Sequence, residues 1–356
     1  MRLDLAGGWT DTPPYTLLYG GKVVNVAVNL NGQPPVQVYV RKARERRIRA
    51  LSIDLGVSEI FSSFADVQEY DKPGSPFALV KAALVLLGFA EESAGGRTLE
   101  QLLDSMGGGM DITLFVAVPK GSGLGTSSIL SGTILGALHR FFGDSASIEQ
   151  LTPEVLRIEA MMTTGGGWQD QVGGMVGGVK FVESRAGDEL NFCIEYLDDF
   201  LFSDGGAAGC FTLYYTGITR LAKNILDEVV SGVKSGDPGY LALHGHLRDL
   251  AEHMRVAISR RNLPAMARLV AESWEANKHI HRSVTNEDVE DLLGATKPYY
   301  TGAKLLGAGG GGYCLFISET QEQATALRTM LSARRHDSAR LVGFSLNREG
   351  LQVSVS

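Results

Sequence analysis

Cysteine is scarce in this chain, and its spacing suits neither a metal site nor a disulfide framework. Cys193, Cys210 and Cys314 are odd in number and far apart, and no CxxC pair occurs. Small disulfide-stapled folds and zinc ribbons need several cysteines at short, regular spacings. The sequence therefore excludes both classes and predicts a protein of the reducing cytoplasm.

A basic surface and a long apolar run are missing as well. Asp and Glu total 40 against 33 Lys and Arg, which gives a formal net charge of -7. General nucleic-acid binding needs a basic surface, so we expect no nucleic-acid partner. The longest apolar stretch, residues 77–90, contains Lys81 and is too short to span a bilayer. It predicts a buried helix, and we expect no membrane attachment.

Glycine, in contrast, is abundant. The chain has 44 glycines in 356 residues, roughly 12% where roughly 7% is usual. Three stretches combine glycine with polar residues: 7–14, 119–128 and 307–312. Glycine lets the backbone approach a ligand and present its N–H groups. Three such loops spread along the chain predict one anionic ligand between distant parts of a fold, with a nucleotide phosphate as the expected group.

The central stretch, residues 119–128, predicts a phosphate site. A strand over 111–118 ends at Pro119, and a helix over 127–142 follows Thr126. The first N–H groups of a helix have no internal partner, and its dipole adds positive charge there. Lys120 adds a cation, and the hydroxyl groups can cap the helix or bind Mg²⁺. The loop fits neither the Walker A nor the GxGxxG pattern, and a capped helix start without a ligand is the alternative.

Two carboxylates, Glu159 and Asp170, lie eleven residues apart on either side of a glycine-rich bend. They could face one metal-bound phosphate, because Mg²⁺ is typically held by one or two carboxylates with phosphate and water. Asp170 could also accept a proton from a hydroxyl nucleophile. Glu159 alone could be a solvated surface residue. Asp11 could form a simple Asx turn or accept hydrogen bonds from two sugar hydroxyls.

The pattern of predicted elements changes near residue 186, which predicts two domains, residues 1–185 and 186–356. The region from 221 to 293 reads as mostly helical, with helix caps at Asp237-Pro238 and Thr285-Asn286. The other predicted elements are strands at 23–29, 37–40, 48–52, 179–182 and 211–215, helices at 78–87, 98–105 and 151–162, and closing strands over 341–355.

The three loops in this order, with the carboxylate pair between the second and the third, resemble the GHMP kinase superfamily. That family is named for galactokinase, homoserine kinase, mevalonate kinase and phosphomevalonate kinase. Five segments are similar to the L-fucokinases within it, above all to the kinase half of bacterial bifunctional fucokinase/guanylyltransferases. They read RLDLAGGWTDTPP (2–14), GLGTSSIL (123–130), TTGGGWQDQ (163–171), YYTGITR (214–220) and WEANK (274–278).

The resemblance implies an α+β fold with an N-terminal α/β domain that has a mixed sheet and a C-terminal ferredoxin-like α+β domain. It places the active site in the cleft between them. The implied activity is transfer of phosphate from ATP, with Mg²⁺, to the anomeric hydroxyl of L-fucose. A guanylyltransferase domain upstream is the implied partner. A heptose or heptose 7-phosphate kinase of the same superfamily is one alternative, and a catalytically silent binding homologue is another.

The resemblance also implies roles for individual residues. Asp170 matches the catalytic base and Arg2 the cation beside it, while Ser128 and Glu159 match the Mg²⁺ ligands. The sugar-binding set is Asp11, Gly8, Trp9, Trp168 and Tyr215. The ATP-binding set is Lys120, Gly121, Ser122, Gly123, Leu124, Gly125, Thr126, Ser127, Gly309, Gly310 and Gly311.

The chain starts directly on its first motif, with no strand predicted ahead of Arg2. We therefore expect a piece of a bifunctional protein in which Arg2 lies at a frayed terminus beside an exposed sheet edge. We also expect slower fucose phosphorylation than in a chain extended upstream.

Overall fold

The computed structural model describes residues 1–119, 121–162, 166–187, 191–218, 223–334 and 338–355. Its strands are β1 (Arg2–Ala6), β2 (Lys22–Leu30), β3 (Val36–Ala43), β4 (Ile48–Ser52), β5 (Val57–Phe61), β6 (Gly109–Val116), β7 (Val179–Ser184), β8 (Phe192–Tyr196), β9 (Phe211–Tyr215), β10 (Gly302–Leu305), β11 (Tyr313–Ile317), β12 (Arg340–Val342) and β13 (Phe344–Leu346). Its helices are α1 (Tyr15–Tyr19), α2 (Phe64–Gln68), α3 (Ala78–Leu86), α4 (Leu99–Ser105), α5 (Thr126–Phe141), α6 (Ile148–Met161), α7 (Gln169–Met175), α8 (Lys223–Lys234), α9 (Pro238–Ser259), α10 (Leu263–Lys278), α11 (Glu287–Thr296) and α12 (Gln321–Ala333).

These elements form two compact units that alternate along the chain. The first unit takes in residues 1–34, 120–126 and 166–350, and the second takes in 35–119, 127–165 and 351–356. The division expected between residues 185 and 186 is a boundary between family domains along the sequence, not between compact units in space. It stays a prediction.

The first unit contains an antiparallel sheet built around β2. Strand β2 pairs with β1 on one side and with β7 on the other, β7 pairs with β8, and β13 pairs with the far end of β2. Every residue of β1 is buried, since α7, α9 and α10 all pack on this strand. The sheet therefore fixes the backbone on which Arg2 and Asp4 stand.

A second antiparallel sheet of the same unit has the order β10-β11-β9-β12. Helix α10 packs on β10, and α12 packs on β9 and β12. All residues of β9, β10 and β11 are buried, as their apolar sequences require. The third glycine-rich stretch, residues 307–312, connects β10 to β11.

Two helices of the first unit begin at the caps expected from the sequence. The Asp237 carboxylate accepts hydrogen bonds from the N–H groups of Gly239 and Tyr240, at 2.8 and 3.0 Å, ahead of α9. The Asn286 side chain accepts one from the N–H of Val289 at 3.1 Å, ahead of α11. Both satisfy N–H groups that the helix cannot bond itself, so both predictions are confirmed.

The second unit is built on the sheet β3-β6-β4-β5, in which β4 and β6 run parallel and the other neighbours are antiparallel. The expected apolar helix is α3, which packs against α6. Lys81 of α3 is 1% exposed, and its ammonium group lies 2.8 Å from Glu59 and 5.1 Å from the ring centroid of Phe61. The carboxylate and the aromatic face explain how an apolar helix accommodates this charge. In the described part of the chain, no helix is long and apolar enough to cross a bilayer.

The structure differs from the sequence predictions at both chain ends, and it adds the internal elements β5, α2 and β8. Arg2–Ala6 forms a strand that was not predicted, and the predicted closing strands over 341–355 stop at Leu346. A Cβ atom at Gly136 of α5 would lie 3.3 Å from Leu351 and 3.4 Å from Val353. Leu351 and Val353 therefore lie beside a helix, although the pattern of this segment is typical of a strand, and Val355 is exposed.

Gly302 and Gly294 make a matched pair for testing the packing of the first unit. A Cβ atom at Gly302 would lie 2.0 Å from the carbonyl oxygen of Ala267 in α10, whereas one at Gly294 in α11 would meet nothing within 4 Å. We expect Gly302→Ala to lower the free energy of unfolding by about 1–3 kcal/mol, the cost of overpacking. Gly294→Ala should raise it by about 0.5–1 kcal/mol, because alanine favours the helix. Equal midpoints for the two variants in urea unfolding would contradict this packing.

Candidate functional site

Arg2 joins three segments of the first unit. Its Nε donates a hydrogen bond to Oδ1 of Asp170 at 2.7 Å, and its Nη2 lies 2.5 Å from the same oxygen. Its Nη1 donates to the carbonyl oxygen of Gly123 at 2.9 Å. Burial alone would lower the pKa of Arg2, but the charges of Asp170 and Asp4 outweigh it and raise that pKa. Arg2 is therefore a permanent cation that binds α7 and the central glycine loop to β1.

The expectation that Arg2 lies at a frayed terminus is wrong. Arg2 stands in β1 opposite Ala27 of β2 and is 2% exposed. The strand forms because Leu3 and Leu5 are completely buried against the rest of the unit.

Asp170 lies in the first turn of α7 beside the central loop. Its side chain is 30% exposed, although its partner Arg2 is buried, so a substrate hydroxyl can reach the carboxylate. Gly125 has φ +75°, and a Cβ atom on it would lie 3.2 Å from Cβ and Cγ of Asp170. Only glycine combines this left-handed backbone with so close an approach. The phosphate loop predicted from the sequence thus passes directly against the predicted catalytic base.

Asp11 is 1% exposed and is held by Gln169, the residue before Asp170. Its Oδ2 accepts a hydrogen bond from the backbone N–H of Gln169 at 3.1 Å, and its Oδ1 accepts one from the Gln169 side-chain amide at 3.0 Å. Burial raises the pKa of Asp11 to about 7, with the nearby charge of Asp170 adding to the rise and the Gln169 N–H opposing it. Each oxygen retains capacity to accept a further hydrogen bond.

The turn that leads to Asp11 is tightly built. Trp9 has φ +78° and is 8% exposed, an uncommon conformation for an aromatic residue. A Cβ atom at Gly8 would lie 2.7 Å from Oδ2 of Asp4, so a larger residue would displace that carboxylate. The turn, Asp11 and Asp170 form one continuous group within the first unit.

Two aromatic residues of the expected sugar-binding set are used by the protein core. Trp168 is 1% exposed, donates its indole N–H to the Thr16 hydroxyl at 3.0 Å, and stacks with Phe192. Tyr215 in β9 is 4% exposed, and its ring lies between Tyr313 and the guanidinium of Arg340. This packing favours support of the neighbouring backbone over direct sugar contact for both side chains.

The central and third glycine loops touch through their backbones. A Cβ atom at Gly123 would lie 2.1 Å from the carbonyl oxygen of Leu306, and Tyr313 donates its N–H to the carbonyl of Ser122 at 3.0 Å. Within the central loop, the hydroxyls of Ser122 and Thr126 lie 3.1 Å apart. Leu124 and Gly125 are buried, whereas Gly121 and Ser127 are exposed. Lys120, which the sequence places in the ATP-binding set, lies outside the described residues.

The third loop is fixed by two further backbone segments. The N–H of Gly310 donates to the carbonyl of Val284 at 2.6 Å. Cβ atoms at Gly309 and Gly311 would lie 2.4 and 2.5 Å from the carbonyl oxygens of Val284 and Ile218. The glycines of this loop are therefore needed for packing whether or not ATP binds beside them. This packing is compatible with their expected place near ATP.

Ser128 and Glu159, the expected Mg²⁺ ligands, meet in the second unit. Ser128 stands in the first turn of α5, and its hydroxyl donates to Oε1 of Glu159 in the last turn of α6. Their exposures are 4% and 7%, so Glu159 is not a solvated surface residue. A hydroxyl with a carboxylate fits the oxygen preference of Mg²⁺, which keeps waters and phosphate oxygens as its other ligands. This pair contains a single carboxylate. The described residues contain no cluster of three or more His, Cys, Asp or Glu that could hold a metal.

Neither Gln169 nor an ion pair between Asp4 and Lys304 has a separate role in the sequence predictions. The Nζ of Lys304 lies 2.9 Å from Oδ2 of Asp4, and both side chains are almost completely buried. Gln169 stands inside a glycine-rich motif, which is a usable signal. Lys304 carries no such signal, because a lysine in a short strand usually faces solvent.

Comparisons with known proteins concern the family and the fold of the chain. Residues 93–178 match the model of the GHMP kinases N terminal domain, and residues 254–337 match that of the GHMP kinases C terminal. The chain is 44% identical over its whole length to the L-fucokinase/L-fucose-1-P guanylyltransferase of Bacteroides fragilis, and it spans 38% of that relative. It is 26% identical to the D-glycero-alpha-D-manno-heptose 7-phosphate kinase of Campylobacter jejuni, with 99% of this chain and 96% of the relative covered.

Among solved structures, the chain is similar to a D-glycero-D-manno-heptose 1-phosphate kinase from Bacteroides thetaiotaomicron. The TM-score is 0.70 at 18% identity, and the match covers 100% of this chain and 98% of the other. At that identity the likeness concerns the fold, and it confirms the expected fold class. With both family domains matched and the fold shared, the chain belongs to the GHMP kinases.

Proposed function

We propose that this chain phosphorylates the anomeric hydroxyl of L-fucose with ATP and releases L-fucose 1-phosphate and ADP. The observation that carries the proposal is the group formed by Arg2, Asp170 and Gly123, which joins a fixed carboxylate to a glycine loop. The sugar is chosen from the Bacteroides fragilis relative, whose printed name includes L-fucokinase and which is 44% identical over the whole chain.

Phosphoryl transfer has a loose transition state, so the protein contributes mainly by positioning and by charge neutralisation. In the proposed reaction the anomeric oxygen forms a bond to the γ-phosphorus while the bond from that phosphorus to the ADP oxygen breaks. The hydroxyl proton passes to Asp170, which Arg2 holds in place. Asp11 accepts hydrogen bonds from two sugar hydroxyls, and Gln169 fixes its carboxylate plane. The glycines of the central loop present N–H groups to the phosphates.

Ser128 and Glu159 would hold Mg²⁺, which neutralises negative charge on the phosphate groups when it is bound. A cytoplasmic location and the passage of the product to a guanylyltransferase belong to the same proposal. The second is supported by the printed name of the Bacteroides fragilis relative, which pairs the two activities.

A heptose 7-phosphate kinase is the second candidate, because the Campylobacter jejuni relative matches this chain over nearly the full length of both proteins. An ADP-release assay with L-fucose, galactose, mannose and a heptose 7-phosphate separates the two. We expect the highest kcat/KM with L-fucose. A preference for the heptose phosphate would replace the proposed substrate, and MgATP binding without turnover of any sugar would indicate a silent homologue.

Asp170 is the residue on which the proposed chemistry depends most. We expect Asp170→Asn to lower kcat by ~10²–10⁴, the usual cost of removing a general base, because the amide cannot take the hydroxyl proton. Binding of L-fucose, measured by calorimetry, should persist because Asp11 is unchanged. Near-normal turnover in this variant would remove Asp170 from its assigned role.

The affinity for L-fucose should depend on pH through Asp11. With its pKa raised to about 7 by burial, the carboxyl group is protonated below that pH and then accepts hydrogen bonds poorly. The KM for L-fucose should therefore fall as pH rises from 6 to 8, and Asp11→Asn should abolish this dependence. A pH-independent KM in the unaltered protein would contradict the assignment.

The same ionisation affects stability with a definite sign. Because the folded chain binds the Asp11 proton more tightly than the unfolded chain, this group stabilises the fold below about pH 4. That contribution is lost as pH rises to about 7. The change in the free energy of unfolding caused by Asp11→Asn should consequently be more favourable at pH 8 than at pH 5. Urea unfolding at the two pH values provides a control that needs no substrate.

A further inference from the structure

Lys180, the second residue of β7, is completely buried and has an unusual set of partners. Its Nζ donates hydrogen bonds to backbone carbonyl oxygens only. They belong to Gly173, Val176, Gly177 and Gly178, at 3.2, 2.7, 3.3 and 3.1 Å.

In the part of the chain that the structure describes, two other lysines are as deeply buried, and each of them meets a carboxylate. Lys81 lies 2.8 Å from Glu59, and Lys304 lies 2.9 Å from Asp4. Within the described residues, no carboxylate lies at ion-pair distance from the Nζ of Lys180. Burial lowers the pKa of Lys180 to about 7, and the carbonyl oxygens around it favour the ammonium form, which has three N–H donors.

These carbonyls mark the end of α7, the helix that carries the proposed catalytic base. The last carbonyl groups of a helix have no partner within it, and Lys180 supplies one for Gly173 and for the turn that follows. A Cβ atom at Gly173 would lie 3.0 Å from the Asn25 amide and 3.1 Å from Cβ of Arg2. Helix α7 is thus pressed onto β1 and β2, and Lys180 holds its C-terminal end from β7.

The opposite end of the same short helix makes the contacts of the site. Gln169 and Asp170 are its first two residues, and they bind Asp11 and Arg2. Helix α7 has seven residues, so a shift at its C-terminal end reaches Asp170 within about two turns.

We propose that Lys180 is a positioning residue for phosphoryl transfer, whose ammonium group fixes α7 so that Asp170 stays on Arg2 and Gln169 stays on Asp11. Lys180 touches neither substrate in this arrangement and acts through the helix. The inference rests on the proposed kinase reaction for its effect on turnover, but the fixing of α7 is a property of the chain itself.

The test compares Lys180→Met and Lys180→Gln with Lys81→Met. Methionine keeps the length of the side chain without a donor, glutamine keeps two N–H donors, and Lys81 is a buried lysine of the second unit. Because a displacement of about 1 Å can cost ~10² in rate, we expect kcat to fall by ~10² in Lys180→Met and by less in Lys180→Gln. The KM for L-fucose should rise, the KM for MgATP should stay near its original value, and Lys81→Met should keep its kcat.

Hydrogen exchange separates a failure of this inference from a failure of the proposed function. The amides of residues 169–175 should exchange faster in Lys180→Met and Lys180→Gln than in the unaltered protein, and unchanged in Lys81→Met. This readout needs no sugar turnover. Unchanged exchange in both Lys180 variants would overturn the inference even if L-fucose proves to be the substrate, and faster exchange with normal kcat per folded molecule would reduce Lys180 to a structural role.

Chemical rescue provides a further check. Lys180→Ala removes the amine while the carbonyl oxygens remain, so added ammonium or potassium chloride should restore slow exchange in 169–175. Tetramethylammonium chloride at the same ionic strength should not, because the ion is too large to enter among the carbonyl oxygens. If all three salts act alike, the ammonium group of Lys180 is not what holds the helix. If Lys180→Met does not fold, the comparison of Lys180→Gln with Lys81→Met decides the question.

Discussion

The ion pair between Arg2 and Asp170 is the interaction on which the rest of the site depends. It joins the first strand of the chain to a short helix 168 residues later, and the same guanidinium binds the carbonyl of Gly123 in the central loop. Removing Asp170 is costly, because it leaves the buried charge of Arg2 without its carboxylate partner. The positions of the strand, the helix and the loop are consequently interdependent.

Close backbone approach is the second constraint, and it explains the abundance of glycine. An added Cβ atom would collide with the carbonyl oxygen of Leu306 at Gly123 and would lie 3.2 Å from Asp170 at Gly125. The loops therefore pack against Asp170 and against each other without intervening side chains. Such packing leaves little freedom for the loop positions, which suits a reaction that depends on alignment.

Much of this could be predicted from the sequence, because the signals are local. The caps at Asp237 and Asn286, the apolar helix over 78–86 and the three glycine loops are all present where their residues indicate. The association of Arg2 with Asp170 was predicted from family resemblance alone. No local sequence pattern can indicate it, because the two residues are far apart along the chain.

Other features depend on burial that no local pattern reveals. Trp168 and Tyr215 suit a sugar platform equally well in sequence, yet core contacts occupy both rings. Lys180 stands between apolar residues in a strand. Nothing in that local pattern indicates an amine enclosed by carbonyl groups. Strand β1 is short and contains Arg2 and Asp4. Because charged residues usually indicate exposure, the sequence does not predict that this segment is completely buried.

The interleaving of the two units has a consequence for synthesis on the ribosome. Strand β2 pairs with β7 and, through Leu30, with Phe344 near the other end of the chain. Residues 35–119 can form their own sheet early, since among the described strands β3 to β6 pair with one another and with no other strand. The first two strands must wait, with apolar edges unpaired, until residues beyond 179 and finally beyond 344 have emerged. Contacts of such long range are slow to form, so the segment that carries Arg2 and Asp11 is made well before the residues that complete its sheet.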